Sequence, residues 1–385
     1  MIPYGRQDIS KEDIAEVIET LQSDFLTQGP KVPTFEKIVS DYCGARYGVS
    51  VNSATSALHI ACMALDLGKG DWLWTSPNSY VASANCGIYC GANVDFVDID
   101  PLTYNLSPEA LEKKLIQAKK EKKLPKILIP VHFAGQSCDM QKVYALSQEY
   151  GFKIIEDASH AIGGSYMKNK IGSCEYSDIT VFSFHPVKII TTAEGGFATT
   201  NDEDLCERMQ LFRSHGVTRD PKYMTEELEG KWYYQQVVLG FNYRMTDLQA
   251  ALGISQMRRI DEFVEKRNIL KDRYDCLLDG LSVIRPYQAK NIHSAMHLYP
   301  IQIDTSQIKA SRYEVFNALV HGGIGVNVHY IPIHTQPYYL QKGFTHGDFP
   351  ISETYYSKAI SLPLFPKMSF EEQDKVVNTL SKALK

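Results

Sequence analysis

The residues with the most chemical potential in this 385-residue chain stand in VFSFHPVKIITTAEGG, positions 181–196. An apolar run ends at Ser183 and Phe184, Pro186 prevents a simple continuation, and Lys188 follows among small and apolar neighbours. Burial disfavours the ammonium form, so a lysine in such company offers a neutral amine able to form a Schiff base. Taken alone, Lys188 reads first as a surface lysine with a buried stem. A second stretch, KIIEDASHAIGG at positions 153–164, brings Glu156 and Asp157 to the end of another apolar run. Open parallel sheets carry their ligand sites at such strand ends. One carboxylate there can hold a pyridine nitrogen protonated, which makes the ring an electron sink. Alternation along a strand points the two acids opposite ways, and Asp157 is assigned to the site. An isolated acid at this place would read as a helix cap or turn residue.

Two further motifs follow strand-like runs. In NSATSAL, positions 52–58, small residues let backbone N–H groups and the hydroxyls of Thr55 and Ser56 approach a phosphate at a helix N-terminus. Ser183, at the end of its own run, offers another hydroxyl. The bland alternative is an ordinary helix cap. In TSPNSYVASAN, positions 75–85, Tyr80 can lay its ring against a flat heteroaromatic group, or be a core aromatic at a helix start. No single motif decides the chemistry; the set, in this order and spacing, does.

These residues need a scaffold. From about Tyr47, short apolar runs alternate with amphipathic helical stretches. Strands are expected at 47–52, 71–76, 94–99, 126–131, 153–157, 179–184 and 195–200, and helices at 53–67, 107–123 and 140–150. The alternation predicts an α/β fold with a mostly parallel sheet between helical layers. The short link between 179–184 and 195–200 predicts one antiparallel strand. A long helical pattern over 246–278 leads into a smaller C-terminal α+β unit. There 297–303, 312–321 and 325–329 read as strand, helix and strand, and 370–384 as a closing helix. The division expected is a large domain over 1–250, with an N-terminal helical segment, and a small one over 251–385.

Composition sets the outer limits. Net charge is -5, hydrophobic residues are 44% and charged residues 22%, an ordinary globular balance with no general attraction for nucleic acid or anionic lipid. The Lys-rich stretch 113–126 fits a solvated helix face, with Leu111, Leu115 and Ala118 on the apolar side. The opening MIPYGRQDISKEDIAEVI has no basic start followed by an apolar run, and no apolar stretch is long enough to span a bilayer. The eight cysteines make no metal-ligand pattern; Cys86 and Cys90 share a helix face without a nearby His or second pair. A cytoplasmic protein with reduced, mostly interior cysteines and no metal is expected.

With these motifs in hand, the chain resembles the sugar aminotransferases of the DegT/DnrJ/EryC1/StrS family, within the fold-type I pyridoxal 5'-phosphate (PLP) enzymes. The resemblance runs over nearly the whole chain, through NSATSAL, SPNSYVASAN, EDASHAIGG, FSFHPVKIITTAEGG, LFRSHGV and GFNYRMTDLQAALG. It implies Lys188 as the lysine that bonds the cofactor aldehyde, Asp157 as partner of the pyridine nitrogen, and Thr55, Ser56 and Ser183 as phosphate ligands. It further implies Tyr80 against the ring and His160 beside it, where a Gln is common in the family. In GFNYRM, Asn242 is implied to reach the cofactor phosphate of a neighbouring subunit and Arg244 a nucleotide diphosphate. His329 and Tyr330, in VHYIPIH, are implied on the substrate's nucleotide side. A homodimer with shared active sites follows from the same resemblance.

FHPVKIITTAEGG, LFRSHG and GIGVNVHYIPIHTQPYY are most similar to the branch serving pseudaminic acid biosynthesis. That similarity implies transfer of an amino group from L-glutamate to C4 of a UDP-linked 4-keto-6-deoxy-N-acetylhexosamine. Three alternatives stand beside it: another nucleotide-linked keto sugar, a PLP-dependent sugar dehydratase, and a non-enzymatic regulator on the same fold. Related dehydratases carry His in place of the lysine; here Lys188 holds that position, although His185 is near. No helix-turn-helix or basic stripe supports a regulator.

Overall fold

The computed structural model describes residues 1–227 and 229–385. Its centre is a seven-stranded sheet of β1 (Tyr47–Val51), β2 (Trp72–Thr75), β3 (Asn93–Phe96), β4 (Ile127–Ile129), β5 (Lys153–Asp157), β6 (Ile179–Ser183) and β7 (Gly196–Thr200), in the order β1-β7-β6-β5-β4-β2-β3. These are the seven expected runs. β3, β2, β4, β5 and β6 are parallel, while β7 runs antiparallel to both β6 and β1.

The sheet separates two apolar layers because its side chains alternate. Leu73, Ile127, Ile129, Ile155 and Val181 share one cluster with the helices Ala54–Ala64 and Ala82–Tyr89, and Trp74, Leu128 and Ile154 share another with Leu111, Leu115 and Val143 of the opposite layer. The helix Ala54–Ala64 is built largely of Ala, Ser, Cys and other small residues, so it lies close to the sheet and is buried from Ser56 to Cys62. Three of the crossover helices begin where the sequence provides a cap: Ser53, Ser107 and Asp139 each accept a backbone N–H of the first turn, whereas the helix Ala82–Tyr89 starts without one. The Lys-rich helix Pro108–Glu121 buries only Leu111, Leu115 and Ala118, as a solvated face requires. All eight cysteines are free thiols.

Two expectations are corrected. The pattern over 246–278 is two helices, Asp247–Met257 and Ile260–Leu277. No Gly or Pro marks the break. It falls where Arg258 binds Glu16 and Arg259 binds Asp13 and the Asp8 carbonyl, and these pairs tie the N-terminal segment down. The stretch 325–329 is not a strand: it makes one isolated bridge, Asn327 to Ser361, while the Gly325 N–H pairs with the N-terminal segment at the Ile2 carbonyl, 2.6 Å away. The C-terminal antiparallel sheet consists instead of Val283–Ile284, Tyr299–Ile303 and Ala359–Leu362. It packs with the helices Arg312–His321 and Phe370–Ala383, and Ile2 joins its core. No helix among the described residues is long and apolar enough to cross a membrane.

Candidate active site

Loops leaving the C-terminal ends of β1, β2, β5 and β6 open onto a cleft of about 1070 Å³. This follows from topology, since parallel strands deliver their following residues to one side of the sheet. Thr55, Ser56, Tyr80, Asp157, His160, Ser183 and Lys188 all line it, and His329 and Tyr330 close it from the C-terminal part of the chain.

Lys188 sits one turn beyond the end of β6, its N–H on the His185 carbonyl at 2.9 Å. Its amine is pulled down to about 8 by loss of solvent, against which the Asp157 charge acts to raise it. The amine therefore has a substantial neutral fraction near physiological pH. Asp157, at the end of β5, is buried, and each carboxylate oxygen has its own donor: the Ser83 hydroxyl at 2.7 Å on one, the Ser159 N–H at 3.1 Å on the other. Glu156 points to the opposite side of the sheet. It takes the His132 imidazole at 2.6 Å and the Thr180 hydroxyl at 3.1 Å, so it is a structural acid.

At the helix Ala54–Ala64, Ser53 caps the Ser56 N–H at 3.1 Å, while the Ser56 hydroxyl donates to Asn52 at 2.7 Å. The N–H groups of Ala54 and Thr55 meet no acceptor among the described residues. Free first-turn amides at the positive end of a helix, beside the hydroxyls of Thr55 and Ser183, match the needs of a phosphate. The close approach that builds this corner depends on Gly196. A Cβ there would lie 2.3 Å from the Ser53 carbonyl carbon and oxygen.

His160 stacks on Tyr330, with ring centroids 6.1 Å apart and planes 19° apart. Its Nδ1 accepts the Ala134 N–H at 3.3 Å, which leaves the proton of the neutral ring on Nε2 to meet the Tyr330 oxygen at 3.1 Å. Burial, and then the Lys188 charge, hold His160 well below its usual range. The same causes pull His329 down to about 3, so it too is neutral. His329 Nδ1 lies 2.8 Å from the Ser361 hydroxyl. Tyr80 is 63% exposed, its ring open to the cleft rather than packed in a core.

Asn242 and Arg244 stand apart. GFNYRM runs beside the end of β1, where the Asn52 N–H donates to the Tyr243 carbonyl at 2.8 Å, but neither side chain lines the cleft. Arg244 faces a separate depression with Glu36 and Arg213. The sequence reading overlooked Ser79, Ser83 and His297. Ser83 stands in the first turn of the helix Ala82–Tyr89 and Ser79 in the loop before it, so no helical spacing marks the pair; His297, its ring centroid 4.4 Å from that of His160, carries no signal either. Among the described residues no cluster of His, Cys, Asp and Glu could hold a metal ion. The donor set fits PLP: an amine for the aldehyde, a carboxylate for the ring nitrogen and open amides for the phosphate.

Comparison with known proteins agrees. The model of the DegT/DnrJ/EryC1/StrS aminotransferase family matches residues 7–381. A spore coat polysaccharide biosynthesis protein of Bacillus subtilis is 38% identical, covering 100% of this chain and 97% of its own. A UDP-4-amino-4,6-dideoxy-N-acetyl-beta-L-altrosamine transaminase of Campylobacter jejuni is 34% identical, covering 99% and 96%. Among solved structures, a Helicobacter pylori aminotransferase involved in the biosynthesis of pseudoaminic acid superposes with a TM-score of 0.91 at 30% identity, over 100% and 99% of the two chains. A Streptococcus pneumoniae protein in its PLP form does so with 0.89 at 31%, over 99% and 98%.

Proposed function

The chain belongs to the DegT/DnrJ/EryC1/StrS aminotransferase family and uses PLP, and from that premise we propose that it transfers the amino group of L-glutamate to C4 of a UDP-linked 4-keto-6-deoxy-N-acetylhexosamine, in pseudaminic acid biosynthesis. The observation that carries this reading is the buried Lys188 amine, pulled down to about 8, in one cleft with the doubly anchored Asp157. The named C4 transaminase and the Helicobacter pylori structure support the substrate.

PLP, when bound, supplies an aldehyde that takes up an amino group and a ring that spreads developing negative charge. Lys188 Nζ, neutral in a useful fraction, removes the proton from glutamate's α-carbon and in the second half-reaction delivers one to C4 of the sugar. Asp157 holds the ring nitrogen protonated. Thr55 and Ser183 would hold the phosphate with the open amides of the helix start, Ser56 would join them only by turning its hydroxyl from Asn52, Tyr80 would cover the ring, and the neutral His160 orients Tyr330 toward the substrate with His329. Asn242 and Arg244, turned away from their own cleft, serve the neighbouring subunit's phosphate and the nucleotide diphosphate in a cytoplasmic homodimer.

A second reading, another nucleotide-linked keto sugar, is favoured by the higher identity to the spore coat polysaccharide protein. Purified protein, expected at twice the 43.5 kDa chain mass, should be offered glutamate with a panel of UDP- and dTDP-linked 4-keto-6-deoxy sugars. The expected product is the 4-amino UDP sugar with one 2-oxoglutarate per turnover. Amination at another carbon, or use of dTDP sugars alone, would overturn the substrate. Ammonia release without glutamate consumption would point to a dehydratase.

A further inference from the structure

We propose that Ser83, supported by Ser79, is a positioning residue that fixes the Asp157 carboxylate for its partner in the cleft. The inference rests on the transamination reading, since it concerns the acid assigned to the cofactor ring nitrogen. Ser83 is fully buried, Ser79 is 4% exposed and Asp157 5% exposed, so all three are largely withdrawn from solvent. The Ser83 hydroxyl lies 2.7 Å from Asp157 Oδ2, and Ser79 lies 2.7 Å from Ser83.

The direction of this chain follows from counting protons. An ionised carboxylate only accepts, so the single hydroxyl proton of Ser83 goes to Oδ2. Ser79 must then donate to Ser83. One end of the chain, Ser79, lines the cleft, and the other reaches the carboxylate from behind. With the Ser159 N–H on Oδ1 at 3.1 Å, both oxygens are held and the carboxylate cannot turn about its own axis. Hydrogen bonds to a charged acceptor are the stronger kind, and a network of buried ones specifies a single arrangement.

The spacing has a local cause. Ser83 stands in the first turn of the helix Ala82–Tyr89, which begins at Val81 without a side-chain cap. A serine at a helix start ordinarily turns its oxygen to the backbone. Here the Ser83 hydroxyl goes to the acid instead, and that of Ser79 to Ser83.

Apo protein of the wild type and of the S83A, S83T and S79A variants should be titrated with PLP, following binding by absorbance and fluorescence. The pH midpoint of the bound cofactor's visible band should be recorded, with the apo melting temperature as a control. S83A is expected to weaken PLP binding by about ten- to a hundredfold and to move the band's midpoint, with apo melting near wild type. S83T, which keeps the hydroxyl, should bind within about twofold of wild type, and S79A should show a smaller loss in the same direction. S83A binding as tightly as wild type would overturn the assignment. So would equal losses in S83A and S83T, because packing rather than the donor would then be responsible. If S83A fails to fold, S79A decides: unchanged affinity and midpoint would overturn it. A wild type that takes up no PLP sinks the transamination reading, whereas normal wild-type loading with an unaffected S83A sinks only the role of Ser83.

Discussion

At the scale of the residue, one side chain stores a conflict between folding and chemistry. Lys188 is held at about 8 in the fold against an ordinary 10.5. Between those two values the unfolded chain binds more protons than the folded one, so stability rises with pH through that window. Below pH 8 the cost of burying the ammonium is fully present. The apo K188M variant, which removes the charge and keeps the stem, should be more stable than apo wild type by roughly 2–3 kcal/mol at pH 7. The gap should close as pH approaches 10. Denaturant unfolding of both proteins across pH 6–10 measures it, and a pH-independent gap would mean that Lys188 is not desolvated.

At the scale of the element, the sheet and the site were legible to different degrees. The seven central strands could be read because apolar runs alternate with capped helices, and the antiparallel β7 because its link to β6 is too short for a crossover. Asp157 rather than Glu156 followed from strand alternation alone. The break at Arg258 was not legible, since it is set by acids more than 240 positions away. The strand Ala359–Leu362 was not legible either, because four residues give too little periodicity. Ser83 was in view but unassigned, since only the fold brings it to a residue 74 positions on. One glycine ties elements to site. β7 passes so close to the helix carrying Thr55 that G196A must push backbone against backbone. It should destabilise the apo protein by about 1–3 kcal/mol and also weaken PLP binding. An unchanged melting temperature would show that the corner can yield.

At the scale of the whole molecule, the cleft draws on both ends of the chain. Tyr4, the β-strand loops, and the segment around His329 and Tyr330 meet in it, so the site is complete only when distant parts of the chain have packed together. We place the residues still missing from the cleft, Asn242 and Arg244, in the work of a neighbouring copy. That proposal needs a dimer, but the central claim does not. It is that the Lys188 amine captures the cofactor aldehyde. Protein loaded with PLP should be reduced with borohydride, digested and mapped by mass spectrometry. The account predicts one phosphopyridoxyl group per chain, carried by the peptide containing Lys188, and none in K188M. A label on another lysine, or equal labelling of the variant, would contradict it.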